Sequence, residues 1–458
     1  MAGAAFERRA GAPAEHRAPA EHRGRPVDGT APATGPTGPT GPADPLITRI
    51  TRTTWISRFH GFTDDNHERG MTMRRRRPRA GVVAAAAAAL LVTAFTGSAA
   101  ARDDAPPAAG HRATQRAIEA AVAAGVPGVA AEARDAGGVW KTAAGVGDRQ
   151  TGAPRTKNDR FRVGGITNTF VATALLQMEA EGKLSLDDSV ERFLPGLVTG
   201  NGNDGRAITV RQLLNHTSGL FDFLADPQYA TTYLAGDGFL QHRYDTLTPE
   251  QRVRVALAHE PPFRPGARHW YSNTNDVLAA LVLEKAAGRP YADEVRRRVI
   301  EPLELKATSN PGTNSLLPRP SARGYSRLFT DRPDRIDDVT EANPSQSWGN
   351  GDMISSTDDL NRFYEALMRG RLLPPQQLKE MKTTVDNPDF PGASYGLGIE
   401  RLTLGCGTTV WYHDGGALGW ISLAAFTEDA GHQLTFNYNA NWGAETILPI
   451  VNAEYCPA

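Results

Sequence analysis

Three short segments combine side chains and glycines that can hold an acyl or peptide group by hydrogen bonds. The first is FRVGGITNTF at 161–170, the second is Tyr271-Ser272-Asn273, and the third is His413-Asp414-Gly415. Tyrosine, asparagine and histidine side chains can all form hydrogen bonds with such a group. Glycine leaves its backbone N–H open to a bound oxygen. Each segment is therefore a candidate contact for a peptide or acyl group.

The order of six landmarks along residues 110–456 resembles the serine D-alanyl-D-alanine carboxypeptidase and class C β-lactamase family. The landmarks are FRVGGITNTF, ITVRQLLNHTSGL, PGARHWYSNTND, GDMISSTDDLNRF, YGLGI and YHDGGALGW. That family uses Ser-x-x-Lys at the start of a buried helix, Tyr-x-Asn on a loop, and His- or Lys-x-Gly on a strand. The resemblance therefore assigns Tyr271 and Asn273 to the second motif and His413 to the third.

The first family motif has lost both of its working side chains. Its serine falls on Gly165 and its lysine on Asn168. In the family the serine oxygen forms the acyl-enzyme, and the lysine three residues later lies on the same helical face and activates that oxygen. Glycine has no side chain to acylate, and an asparagine amide is not a base near neutral pH. We therefore predict that covalent catalysis is absent.

Backbone hydrogen-bond donors remain when a side chain is lost. The resemblance places the oxyanion hole at the amides of Gly165 and Gly416, with Gly415 beside them. Asp414 departs from the family pattern, because members that recognise a terminal D-alanine carboxylate often have a hydroxyl there, and a negative charge disfavours such a ligand. The expected ligand is a peptidoglycan stem peptide or another acyl-peptide, and β-lactams are expected to bind at most non-covalently.

Other hydroxyl and imidazole groups near the motifs have structural explanations. On a helix, Thr167 and Thr169 point about 100° to either side of Asn168 and away from position 165. Ser218 fits a turn or a helix cap, and His216 fits a buried structural histidine. Three aromatic residues are candidates for the wall of the cleft or, equally, for ordinary core packing: Trp348, Tyr412 and Trp420.

Hydrophobic periodicity predicts strands at both ends of the domain and helices between them. Segments 128–133 and 139–146 predict a hairpin, and SYGLGIERLTL, TTVWYH, WISLAAFTE and QLTFNYNA predict alternating later strands. Helical spacing predicts terminal helices and a mostly helical region at about 169–370. A sheet built from both chain ends around an inserted helical region is an α+β fold. The resemblance implies the β-lactamase/DD-peptidase fold.

The first 101 residues differ from the rest in composition. Residues 1–70 contain APAEHRAPAEHR and a Pro/Gly/Thr tract, which predict a disordered or mis-assigned extension. Residues 71–101 carry an arginine cluster, an apolar stretch of about 15 residues and a small-residue cleavage site, which predict an export signal rather than a membrane anchor. We expect translation to begin at Met71 or Met73 and to yield a secreted domain, residues 102–458, without a stable membrane span.

Composition and charge argue against several functions. The chain is 40% hydrophobic and 22% charged, which favours a globular protein. Without residues 1–101 the chain has 36 basic and 43 acidic residues, a formal net charge of −7, and these charges are scattered, which argues against nucleic acid. It contains no HExxH, phosphate loop or dinucleotide fingerprint, so we expect no metal and no cofactor. Cys406 and Cys456 favour a disulfide in an exported chain, with two buried thiols as the alternative.

Three functional hypotheses follow from these observations. The first is a secreted pseudoenzyme that keeps a peptide or acyl-peptide cleft. The second is an active serine-type hydrolase (carboxypeptidase, β-lactamase or esterase) that works through a displaced residue or a bound water. The third is a structural or partner-binding exported protein in which the cleft is vestigial. Acylation by a penicillin and titration with a peptide separate the three.

Overall fold

Eight antiparallel strands form one sheet, and both ends of the chain contribute to it. The computed structural model describes residues 110–456, so the predicted extension at 1–70 and export signal at 71–101 lie outside the described residues. The strands are β1 (Gly128–Asp135), β2 (Gly138–Gly145), β3 (Val385–Asp386), β4 (Ala393–Tyr395), β5 (Glu400–Thr403), β6 (Thr409–Ala417), β7 (Trp420–Phe426) and β8 (Gln433–Tyr438). Their order across the sheet is β2-β1-β8-β7-β6-β5-β4-β3.

The predicted joining of the two chain ends is confirmed. β1 and β2 form a hairpin, and the other edge of β1 pairs with β8, with Val129 opposite Tyr438 and Ala133 opposite Leu434. The α+β class and the sheet built from both ends therefore stand as predicted. This arrangement places β6, which carries the His413 motif, in the interior of the sheet.

Two predictions about the later strands are wrong. SYGLGIERLTL is not one strand but a hairpin of β4 and β5, because the Gly396 amide bonds back to the Ile399 carbonyl and Gly398 adopts a positive φ of 68°. β7 and β8 also do not alternate between buried and exposed residues, since all their residues are buried. Both strands lie in the middle of the sheet, which is covered on both faces.

The alternation along β7 instead separates two hydrophobic cores. Trp420 and Ala424 belong to the core shared with the helical region, whereas Ile421 and Leu423 belong to a second core formed with the terminal helices. Successive side chains of a strand point to opposite faces, so a central strand supplies both cores.

Helices fill the chain between β2 and β3 and also flank the sheet at both ends. The α-helices are α1 (Arg112–Ala123), α2 (Ile166–Ala180), α3 (Val190–Phe193), α4 (Val210–Leu214), α5 (Pro227–Tyr233), α6 (Gly236–His242), α7 (Pro249–Leu257), α8 (Asn273–Ala287), α9 (Tyr291–Val295), α10 (Thr357–Met368), α11 (Pro375–Met381) and α12 (Ile447–Tyr455). Within the same region, two-residue strands pair Phe161–Arg162 with Ile354–Ser355, Thr199–Gly200 with Asn203–Asp204, and Tyr325–Ser326 with Asp337–Asp338.

Two long helices begin at the predicted motifs. α2 starts directly after Gly165 and is buried over most of its surface, including Thr167, Asn168 and Phe170. α8 starts at Asn273 and ends at Gly288, whose left-handed φ of 66° suits glycine at a helix C-terminus. Because both helices lie in the core, their first residues are held in fixed positions.

The predicted disulfide is present between Cys406 and Cys456, whose Cα atoms lie 5.9 Å apart. It ties the turn between β5 and β6 to the end of α12. Among residues 110–456, no helix combines the length and the apolar character needed to cross a membrane.

Candidate ligand-binding cleft

A cleft of about 310 Å³ brings the three predicted motifs to one place. From the motifs, its lining includes Gly165, Tyr271, Asn273, Asp414, Gly415 and Gly416. Gly165 precedes α2, Tyr271 and Asn273 lie at the start of α8, and the remaining three belong to β6. The juxtaposition of these three elements supports the assignment of the motifs to a single site.

The floor of the cleft is a close contact between two stretches of backbone. Gly164 has a φ of 57°, and a Cβ at that position would lie 2.7 Å from the Gly416 carbonyl oxygen. A Cβ at Gly415 would overlap the Val163 carbonyl oxygen and lie 2.8 Å from the Gly165 nitrogen. Only glycine permits this approach. The contact brings the backbone of Gly165 beside the β6 glycines, as the predicted oxyanion hole requires.

The neighbours of Gly165 close around the place of the absent side chain. A Cβ there would lie 3.1 Å from the Asp414 carbonyl oxygen, 3.2 Å from the Tyr271 hydroxyl and 3.3 Å from His413 Cε1. These separations are tighter than ordinary carbon contacts. A side chain at this position therefore needs its neighbours to shift by a few tenths of an ångström.

Asn168, which occupies the lysine position of the family motif, forms a hydrogen bond with the Tyr271 hydroxyl. Its Nδ2 donates to the hydroxyl at 2.8 Å. Burial, followed by the charge of Asp276, raises the pKa of Tyr271 well above its ordinary value, so this hydroxyl keeps its proton at neutral pH. Neither residue supplies a base for acyl transfer.

Asp276 is buried beside this pair. Burial, followed by the charge of Asp222, raises its pKa well above the ordinary value. Its Oδ2 and the Oδ1 of Asn168 have no hydrogen-bond partner among the described residues. Its nearest ion-pair neighbour is His216 at 3.6 Å, and burial lowers the pKa of that imidazole well below its usual value. No fixed positive charge therefore compensates Asp276 within the described part of the chain.

His216 is a buried structural histidine that packs against Tyr271 and forms hydrogen bonds on both of its nitrogens. The two rings stack with their centroids 4.1 Å apart. His216 Nδ1 accepts from the Ser272 amide at 3.2 Å, which leaves Nε2 to donate to the Tyr395 hydroxyl at 3.2 Å. The buried ring thus fixes the height and tilt of the tyrosine in the cleft.

The same chain of bonds continues into β6 and occupies His413. The Tyr395 hydroxyl lies 3.0 Å from His413 Nε2, and His413 Nδ1 donates to the Asp414 carbonyl oxygen at 2.6 Å. A carbonyl only accepts, so the proton sits on Nδ1 and Nε2 accepts from Tyr395. Burial lowers the pKa of His413 to about 4. The structure places neutral His413 behind the wall of the cleft, with both nitrogens engaged.

Asp414 places a carboxyl group in the cleft, and this group interacts with the buried carboxyl group of Glu400. Burial raises the pKa of Asp414 to about 6. Burial and the charge of Asp414 raise the pKa of Glu400 well above its usual range, and Glu400 also accepts from the Tyr412 hydroxyl at 2.8 Å. One side-chain nitrogen or oxygen atom from each of Glu400, His413 and Asp414 lies within 4.8 Å of the other two. Because the His413 nitrogens are already bonded, the group fits a shared proton better than a metal ion.

Replacement of Asp414 by Asn tests this acid. The folded state retains a proton up to about pH 6, whereas an ordinary aspartate loses it near 3.8. The contribution of Asp414 to stability should therefore fall as the pH rises between these values and stay reduced above them. We expect Asp414→Asn to raise the free energy of unfolding at pH 8 by about 1 kcal/mol after solvent screening, with little effect near pH 3.5. Urea unfolding at both pH values measures the difference, and an equal change at both contradicts the assignment.

The remaining hydroxyl candidates lie away from the cleft, as expected. Thr169 donates to the Gly398 carbonyl oxygen at 2.7 Å, and Thr167 is fully buried. Ser218 accepts from the Leu220 amide and donates to Asn275, which is the role of a turn residue. None of the three lines the cleft within the described part of the chain.

Core packing is the correct interpretation of the three aromatic candidates. Trp420 is fully buried in the core against the helical region, and Tyr412 packs in the core on the opposite face. Trp348 packs edge-on against Tyr291, with the ring centroids 4.8 Å apart. The cleft that the structure describes is walled by other apolar residues: Leu224, Tyr229, Tyr233, Leu234, Phe239 and Leu328. Those residues come from short helices and loops without a motif, so sequence reasoning missed them.

The arrangement of fold and motifs is that of a known class of hydrolases. The family model described as beta-lactamase matches residues 114–446. The chain belongs to this family and has its α+β fold, the fold of penicillin-binding proteins and D-alanyl-D-alanine carboxypeptidases.

The relatives of this chain include an amidohydrolase, an amidase and a penicillin-binding protein. The chain is 52% identical to a D-stereospecific amidohydrolase from a Streptomyces species, with a TM-score of 0.72 over 76% of this chain and 98% of the other. It is 28% identical to D-amino acid amidase from Ochrobactrum anthropi, with a TM-score of 0.64 over 75% and 97% of the two chains. A penicillin-binding protein of Bacillus subtilis is 25% identical over 305 residues, which are 64% of this chain and 63% of that protein. The chain thus spans less than two thirds of that relative.

Proposed function

We propose that this member of the beta-lactamase family binds acyl-peptide or amino-acid amide ligands without forming an acyl-enzyme. One observation carries the proposal: the nucleophile position is Gly165, and Asn168 at the lysine position is bonded to Tyr271. The glycine floor and the polar side chains of the cleft remain available to a ligand. The protein is then a pseudoenzyme with a retained binding site.

The charge of the cleft favours an amide over a carboxylate at the end of the ligand. Asp414 lines the cleft, and its pKa of about 6 leaves it mostly ionised at pH 7.5. A negative charge there repels a ligand carboxylate but not a neutral amide. Two solved relatives are named for D-stereospecific and D-amino acid amide hydrolysis, which supports the same ligand class. Peptidoglycan stem peptides and other acyl-peptides remain in this class where the bound portion is an amide.

Calorimetric titration with D-phenylalanine amide, D-phenylalanine and L-phenylalanine amide tests the ligand class. At pH 7.5 we expect D-phenylalanine amide to bind and the free acid to bind at least about tenfold more weakly, a difference of about 1.4 kcal/mol. In parallel, intact-mass measurement after incubation with a fluorescent penicillin should show no adduct. Failure of all three compounds to bind contradicts the proposal and favours a vestigial cleft.

An active hydrolase is the second candidate, favoured by the identity with a D-stereospecific amidohydrolase. It needs a nucleophile other than residue 165, such as a displaced hydroxyl or a bound water. Ammonia release from D-phenylalanine amide, or a penicillin adduct on any residue, establishes this candidate and overturns the pseudoenzyme proposal. The Gly415→Ala variant is the control for contaminating activity, because its added Cβ would overlap the Val163 carbonyl oxygen at the cleft and activity that persists unchanged there does not come from the cleft.

Export from the cell completes the proposed function. The Cys406–Cys456 disulfide suits an oxidising compartment. The segment at 71–101 has the composition of an export signal peptide, which would direct the chain there. We expect N-terminal sequencing of the protein from culture medium to begin near Arg102. Recovery of residues 1–70 in the exported product contradicts both the start site and the signal.

A further inference from the structure

Four polar side chains form a continuous series of hydrogen bonds whose two middle members line the cleft. Arg252 Nη1 donates to Asn350 Oδ1 at 2.8 Å. Asn350 Nδ2 donates to Asn273 Oδ1 at 3.1 Å, and Asn273 Nδ2 donates to Asp222 Oδ2 at 3.1 Å. Asn273 and Asn350 both line the cleft, so the chain connects a buried arginine to residues that a ligand would touch.

Both ends of this chain have a fixed hydrogen-bonding sense. Arg252 is fully buried, and its guanidinium can only donate; a second nitrogen is bonded to the Trp348 carbonyl oxygen at 2.8 Å. Asp222 accepts from the backbone amides of Leu224 and Asn273, each at 3.2 Å. Burial raises the pKa of Asp222 to about 6, so it is an acceptor-only carboxylate at pH 8.

The side-chain amides of Asn273 and Asn350 have only one orientation in which every hydrogen bond of the series pairs a donor with an acceptor. If Asn273 turned over, its NH₂ would face the NH₂ of Asn350 and its oxygen would face the Asp222 carboxylate. If Asn350 turned as well, its NH₂ would face the Arg252 guanidinium. Each alternative leaves two donors or two acceptors opposed inside a partly buried site, which costs more than the lost bond alone.

We propose that Arg252, Asn350 and Asp222 are positioning residues that fix the side-chain amide of Asn273, with its N–H group on the Asp222 side and its oxygen on the Asn350 side. The ligand then meets a donor and an acceptor in a set order, which selects how its own amide lies in the cleft. This inference deepens the proposed function and rests on it for the ligand. The orientation itself is a property of the protein alone.

The direction of the two hydrogen bonds of the Asn273 amide can be reversed by exchanging the chemistry of its neighbours, Asp222 and Asn350. Asp222→Asn places an NH₂ opposite that of Asn273, and Asn350→Asp places a carboxylate opposite the Asn273 oxygen, so each single change frustrates one link. In the double variant, the new carboxylate at position 350 accepts from Arg252 and from a turned Asn273, whose oxygen then accepts from the new amide at position 222. All links are satisfied again, the net charge is unchanged, and Asn273 presents its groups in the opposite order.

Thermal unfolding and calorimetric titration with D-phenylalanine amide at pH 8 test the proposal on wild type, both single variants and the double variant. We expect both single variants to lose several degrees in Tm and the double variant to regain most of that loss. Affinity should fall on the order of tenfold in the single variants and should not return in the double variant. A merely structural role predicts that affinity returns together with Tm. Asn441→Asp, which places a carboxylate elsewhere in the cleft lining, measures how much of any loss of affinity comes from the added negative charge alone.

Three results would overturn the inference. Additive losses of Tm show that the links are not oriented as described. Recovery of affinity in the double variant shows that the ligand does not depend on the orientation of Asn273. If wild type binds no amide, the proposed function and the ligand half of this inference fail together, whereas the Tm cycle still decides the orientation.

Discussion

The double variant Gly165→Ser/Asn168→Lys should be acylated by a fluorescent penicillin, whereas wild type and both single variants should not. Loss of a nucleophile costs on the order of 10⁶ in turnover in a serine hydrolase, and the members of such a unit do not act additively. The expected change is therefore from no detectable adduct to one bound label per chain. Intact-mass measurement and peptide mapping to position 165 give the result.

The geometry around Gly165 explains why both changes are needed. A Cβ there lies 3.2 Å from the Tyr271 hydroxyl, and Asn168 holds that hydroxyl in position at 2.8 Å. Lysine at position 168 removes the hydrogen bond from the Asn168 side chain to the Tyr271 hydroxyl, which allows Tyr271 to move. It also places an ammonium near Asp276, a buried carboxyl group without a compensating fixed charge among the described residues, so the new charge gains a partner. Serine alone lacks an activator, and lysine alone has nothing to activate.

Gly165→Ala/Asn168→Lys is the matched control, because it supplies the same Cβ and the same ammonium without a hydroxyl. A penicillin adduct in this control would place acylation elsewhere in the chain. A well-folded serine–lysine variant without an adduct would show that the loss extends beyond two side chains. Asp414 is then the next residue to replace, since its carboxylate opposes that of the penicillin.

Much of the fold follows from local patterns in the sequence. Short β-rich segments at both chain ends predicted a shared sheet, and the pairing of β1 with β8 confirms it. Left-handed glycines follow both long helices, Gly182 after α2 and Gly288 after α8, in agreement with the preference of glycine for helix ends. The hairpin of β4 and β5 was not predicted, because an apolar segment with two glycines is compatible both with a single strand and with two strands joined by a turn.

In the candidate site too, residues within short motifs could be predicted from the sequence, whereas residues that meet only through distant contacts could not. Tyr271, Asn273, Gly165 and the β6 glycines were found because each lies in a short motif. Asp222, Arg252 and Asn350 were not, because they come from three separate segments and have meaning only when the fold brings them to Asn273. The position of His413 behind the wall depends on Tyr395, whose hydroxyl no local pattern connects to it.

Gly415→Ala should destabilise the protein by about 3 kcal/mol and abolish ligand binding, a large effect for the addition of one methyl group. The added carbon would overlap the Val163 carbonyl oxygen and lie 2.8 Å from the Gly165 nitrogen. Both are backbone atoms, so the clash cannot be relieved by the rotation of a side chain. Strand β6 and the turn before α2 must separate, which moves the proposed oxyanion donors away from each other.

Gly405→Ala is the control for this substitution, because a Cβ at Gly405 meets no atom within 4 Å. Urea unfolding and titration with D-phenylalanine amide should leave this control close to wild type in stability and affinity. If Gly415→Ala behaves like the control, the close approach of the two backbones is not maintained in solution. If it unfolds early but still binds the amide with wild-type affinity, the glycine contact stabilises the fold without forming the ligand site. The expected combination, loss of both, follows only if the same pair of backbone segments performs both tasks.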